Sequence, residues 1–133
     1  MTARRPLTLV SGDIREMPSG DVVLPAAQVA PVTLTDATTV ATNAALGNHF
    51  RVTLGGNRTL GNPTNAVDGQ KIIWELIQDG TGTRTITLDT KFVLGTDLTA
   101  VTLSTAINKR DFLGAFYNSV TDKFYVTAFV KGY

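Results

Sequence analysis

Apolar and polar residues alternate at a period of two over most of this chain, in runs too short for helices. Phe50, Val52 and Leu54 fall on one face of a segment whose other face carries His49, Arg51 and Thr53, which predicts a strand from Asn48 to Leu54. The same reasoning predicts strands over Val32 to Thr35, Arg58 to Leu60, Arg84 to Asp89, Lys91 to Leu94 and Leu98 to Ser104. A final hairpin is predicted, with Asp111 to Asn118 and Lys123 to Val130 as its arms. Ala37 to Leu46 is ambiguous, because Asp36 and Gly47 are suited to frame a helix. Its three threonines and Val40 favour a strand. Gln70 to Asp79 is the longest run, with Ile72, Trp74, Leu76 and Gln78 on one face and Lys71, Ile73, Glu75 and Ile77 on the other. Both faces are largely apolar, so this strand is central and something covers its second face too.

The turns between these runs are as clear as the runs. Gly55-Gly56-Asn57 is a tight turn, and residues 61–69 (GNPTNAVDG) hold every breaker type. Short strands at about 8 to 12-residue spacing predict an all-β fold, an antiparallel β-sandwich of jelly-roll character over residues 32–133. No fixed-period repeat is visible. Residues 1–31 differ, since Pro6, Pro18, Pro25 and Pro31 are four of the five prolines in the chain and disfavour both a long helix and a central strand. A Ser11-Gly12 pair between Leu7 to Val10 and Asp13 to Glu16 predicts a short hairpin. The apolar residues of this segment favour an extended docking arm over a solvated leader.

Composition narrows the class. A chain of 133 residues is long enough for one domain with a real core. Only 17% of residues are charged, while 21 are threonine, which fits strands faced by hydroxyls and a surface partly hidden by neighbouring subunits. Net charge is +1 with no cluster of basic residues, so nucleic acid is excluded as a partner. There is no cysteine, which removes disulfides and thiolate metal sites. No run approaches the ~20 apolar residues of a membrane helix, and none at the N-terminus has signal-peptide length, so neither membrane insertion nor classical export is expected.

Candidate chemistry is sparse. His49 is the only histidine and has no cysteine or second imidazole to act with, so it is read as a surface residue. Glu75 and Asp89 are the one carboxylate pair that facing strands would bring together, and they are read as structural. Asp79-Gly80-Thr81-Gly82 has oxygens but a single carboxylate, too few for Ca²⁺. The Gly-rich turns match no phosphate-binding loop. No catalytic, cofactor-binding or metal-binding residue is therefore assigned. The aromatics say more. Strict alternation puts Phe124, Val126, Ala128 and Val130 on one face of the last strand and Tyr125 and Phe129 on the other. Apolar residues on both faces predict a homo-oligomer contact that includes Ile73, Ile77, Tyr117, Tyr125 and Phe129.

One segment carries a resemblance. Ala37 to Leu88, with Gly47-Asn48-His49-Phe50-Arg51-Val52-Thr53-Leu54, Asn57-Arg58-Thr59-Leu60, Asn62-Pro63-Thr64-Asn65, Asp68-Gly69-Gln70 and Gln78-Asp79-Gly80-Thr81-Gly82, resembles a β domain of tail-fibre and other virion proteins of tailed bacteriophages. The ending from Phe124-Tyr125-Val126 to Lys131-Gly132-Tyr133 is similar to the way those domains close. Ala3-Arg4-Arg5-Pro6-Leu7, Ile14 and Met17-Pro18-Ser19-Gly20-Asp21 resemble the start of short phage fibre and surface proteins. The resemblance implies a structural, commonly trimeric protein without catalytic residues or cofactor, assembled into virions in the host cytoplasm. On that reading Arg4, Arg5, Leu7, Leu9, Ile14, Val22 and Leu24 dock the arm on other virion structural proteins. A small fibre or spike is the first expectation, with a host surface glycan as a possible further partner. The alternatives are a capsid decoration protein that stabilises the head, favoured by the single β domain without a long stalk, and a carbohydrate-binding or glycan-acting module.

Overall fold

The structure, a computed structural model, describes residues 30–133 and the backbone of Leu7–Val10 and Asp13–Glu16. The side chains of Arg4, Arg5, Leu7, Leu9, Ile14, Val22 and Leu24 lie outside the described residues. Strands β1 (Leu7–Val10) and β2 (Asp13–Glu16) pair antiparallel. The regular structure of the described remainder is nearly all strand: β3 (Val32–Thr33), β4 (Thr39–Val40), β5 (His49–Leu54), β6 (Arg58–Leu60), β7 (Lys71–Gln78), β8 (Ile86–Leu88), β9 (Phe92–Val93), β10 (Arg110–Asn118) and β11 (Lys123–Val130). The protein is all-β.

The expected antiparallel pairing is found only in part. From β3 to β8 the chain alternates between a six-stranded sheet, ordered β3-β5-β7-β10-β11-β9, and a three-stranded sheet, ordered β4-β6-β8. Each passage through both sheets is one rung of a coil, and a strand that returns to its sheet by way of the other sheet runs in the same direction as before. β3, β5 and β7 are therefore parallel, as are β4, β6 and β8. Only β7, β10 and β11 pair antiparallel within the large sheet, and β9 joins the free edge of β11 in parallel. An alternating hydrophobic pattern says which face is buried but not which way a neighbour runs. The rungs are also unequal, 18 residues from Val32 to Phe50 and 24 from Phe50 to Trp74, so stacked positions leave no period in the sequence.

The core lies between the two sheets. Phe50, Val52, Leu54, Ile72, Trp74 and Leu76 from the large sheet meet Val40, Leu60 and Ile86 from the small one. Stacking of Val32, Phe50 and Trp74 on successive rungs, and of Val40, Leu60 and Leu88, turns the even-spaced apolar positions into columns. Trp74 is fully enclosed, and its Nε1–H donates to Thr42 Oγ1 at 3.0 Å. Gln78 is also enclosed. Its amide donates to Arg84 O and accepts from Arg84 N–H, both at 2.8 Å, which satisfies the backbone where the chain leaves β7 for β8.

Two predicted strands differ from what forms. Within Ala37 to Leu46 only Thr39–Val40 is strand, and Ala44–Leu46 is a 3-10 turn. The Asn43 side chain accepts the Ala45 N–H and so offers the backbone a local alternative to the ladder. Leu98 to Ser104 forms no strand. Its Leu103 is buried, while the Ser104 N–H and hydroxyl both donate to the buried carboxylate of Asp111 rather than to a neighbouring strand.

The pairing of β10 with β11 changes the face assignment of the last strand. Gly114 pairs with Ala128 and Ala115 with Val126, so Thr127 is an extra residue in a β-bulge. Beyond it the alternation changes phase. Phe124, Val126 and Phe129 face the core, whereas Tyr125 shares the outer face with Ala128 and Val130. Tyr117, paired with Phe124, also packs on the core.

Candidate functional site

The outer face of the six-stranded sheet carries the features of interest. Cross-strand register arranges it in rows. One row runs Arg51, Glu75, Phe112, Val130; the next runs His49, Ile73, Gly114, Ala128; a third holds Lys71, Phe116 and Tyr125. On the other side of the first row lie Thr53, Ile77 and Arg110. The half of the face nearer β5 is polar and the half over β10 and β11 is apolar.

Glu75 organises the polar half. It stands on β7 between Trp74 and Leu76, and only 2% of it is exposed. Arg51 Nε donates to Oε2 at 2.7 Å, and Arg110 Nη1 donates to Oε1. Burial pushes the Glu75 carboxyl up, but the hydrogen bonds from Arg51 and Arg110 together outweigh it and hold the group below the usual carboxylate range. His49 Nε2 is enclosed 3.4 Å from Oε2, without hydrogen-bond geometry to any described residue. Two half-exposed guanidiniums thus share one carboxylate, leaving net positive charge at this edge.

The apolar half is a hollow. Gly114 and Ala128 are the smallest side chains in the two long strands, and they are paired at its centre. Phe112 and Val130 rise on one side and Phe116 on the other, with Ile73 on the floor, giving a trough of about 550 Å³. Lys71 and Tyr133 complete the lining. Phe116 stacks on Tyr125 with centroids 5.5 Å apart, and Phe112 meets Tyr133 edge-on at 5.6 Å. Ile73 remains 45% exposed and Val130 48%, so the chain leaves much of this apolar face in water.

The residues named from the sequence separate here. Ile73 and Tyr125 lie on the outer face. Ile77 is on the same face but buried beside Arg110, and Tyr117 and Phe129 turn to the core. Glu75 and Asp89 are not brought together: Asp89 accepts from the N–H groups of Asn62 and Thr90 at the end of the small sheet. The Asp79 carboxylate is taken up by Arg84 and by the N–H groups of Thr81 and Gly82. These bonds, Arg84 first, hold its carboxyl at about 2. Among the described residues no three His, Cys, Asp or Glu side chains gather as metal ligands. None of the helical structure described is long and apolar enough to cross a membrane.

Sequence reading missed the grouping of Arg51, Glu75 and Arg110, and the hollow at Gly114. The signal for the first was a lone carboxylate inside an apolar central strand, which demands cations from its neighbours. The signal for the second was two small residues among the aromatics of a hairpin. No protein-family model, curated protein or solved structure matches the chain.

Proposed function

We propose that this chain is a structural subunit of a tailed-bacteriophage virion, a small homotrimeric surface protein of fibre or spike type held to the particle by its N-terminal arm. The observation that carries the assembly role is the outer face of the large sheet, where aromatic and branched side chains surround a hollow that the chain itself does not fill. Such faces mark contacts with other chains. Phage placement is supported by the resemblance of Ala37 to Leu88, while low charge with abundant threonine fits a surface partly hidden by neighbouring subunits. In outline the subunit is a sandwich of two sheets, with a three-rung parallel coil in place of a jelly roll. The arm docks on other virion proteins, and the reading assigns no catalysis, cofactor or metal.

Labelled antibody on intact particles tests the placement. Signal on the tail or its collar is expected, and particles free of signal would sink the virion role. Labelling spread over the head supports the second reading, capsid decoration, which uses the same trimer and arm. Sedimentation at micromolar concentration tests the assembly, with a trimer expected and a stable monomer counting against it.

A further inference from the structure

The trough has a counterpart on the same molecule. The loop over residues 61–70 meets the turn between β10 and β11 at one end of the sheet. There the Ser119 N–H donates to Asp68 Oδ1 and the Gly69 N–H to Tyr117 O, both at 2.8 Å. Two branched apolar side chains stand out from this junction, Val67 at 67% exposure and Val120 at 91%. The Asp68 carboxylate lies beside them, with no cation partner among the described residues. This end of the molecule is a small apolar knob with a negative edge.

The trough is its converse. It is concave where the knob is convex, and its border is positive. Lys71 forms part of its wall, and Arg51 lies beyond Glu75 in the neighbouring row, with guanidinium nitrogens to spare after its bond to Glu75. Its centre is open, since a Cβ added at Gly114 meets nothing closer than Thr127 Oγ1 at 3.7 Å. We infer that the occupant of the trough is a second copy of this chain, whose Val67 and Val120 seat over Gly114 and Ala128 while its Asp68 faces Lys71. Knob and trough are different surfaces, so in the trimer the knob of each copy enters the trough of the next, a heterologous contact that uses every knob once when three copies close the ring. The inference rests on the trimeric reading above and names the contact that makes the trimer. Burial of the two valines supplies the apolar core of the contact, and the charges set its register.

Sedimentation velocity on the full chain and two variants tests it. V120D spoils the knob in an exposed turn, and G114L fills the trough from the solvent side. Unmodified protein should be trimeric. Each variant should keep its circular dichroism and unfold cooperatively yet assemble at least about tenfold more weakly. An equimolar mixture of the two should form heterodimers, because V120D retains an intact trough and G114L an intact knob. If G114L fails to fold, the charge at Lys71 decides: K71D should weaken assembly and K71R should keep it. Trimers that persist in V120D, a mixture that stays monomeric, or full assembly of K71D overturns the contact and leaves the trimer standing. A monomeric unmodified protein overturns both.

Discussion

Trp74 and Glu75 are adjacent on β7, point to opposite faces and pose opposite problems. The indole N–H is buried and needs one acceptor, which Thr42 Oγ1 supplies from the turn after β4. Thr42→Val keeps the shape and removes the acceptor, so a destabilisation of about 1–3 kcal/mol is expected in denaturant titration. A loss near zero would mean that the indole finds another partner. Glu75 is ionised and enclosed by two guanidiniums. With its carboxyl held below the ordinary 4.5, its contribution is fully present above that pH and is lost as pH falls through the lowered value. Glu75→Gln should lower Tm at pH 7 by the equivalent of about 1–3 kcal/mol, kept modest because both guanidiniums can turn to water. The gap between the two proteins should narrow below pH 4.5. A gap that widens on acidification would contradict this account. Neither partnership was legible in the sequence, since Thr42 and Trp74 are 32 residues apart and Glu75 and Arg110 are 35. The demand for partners was legible, because a tryptophan and a carboxylate sit in the middle of an apolar run.

Among the elements, the last hairpin shows how far alternation carries. It located both β10 and β11, and the start and end of β11 to the residue. It misplaced the faces, because the extra Thr127 shifts the phase and nothing in the local sequence marks a bulge. Deleting Thr127 should leave Phe124, Val126 and Phe129 facing the core in strict alternation. The variant is therefore expected to fold with a stability change within about 1 kcal/mol. Thermal unfolding and Trp74 fluorescence would report it, and a collapsed core would show that the bulge is required. Leu98 to Ser104 teaches a related point: its residues favour strand, but the carboxylate of Asp111 takes the Ser104 N–H that a ladder would need, along with its hydroxyl.

At the scale of the molecule, the arm and the sheet face divide the proposed work. A chain lacking residues 1–30 should keep the fold of 32–133 and still assemble, but should fail to attach to virions depleted of the protein. Attachment of the shortened chain in a pull-down with such particles would remove the docking role from the arm. The sequence by itself determined that the protein is all-β, where most strands begin and end, and that β7 is central with two apolar faces. Those properties follow from turn residues and from the period-two pattern, which act over neighbouring positions. Only the tertiary structure decided that β3 to β8 coil in parallel, that Glu75 draws Arg51 and Arg110 to one carboxylate, and that Gly114 and Ala128 hollow the outer face. Each of these joins residues from separate rungs or strands. Their distance along the chain is set by unequal loops, which leave no trace in a local pattern.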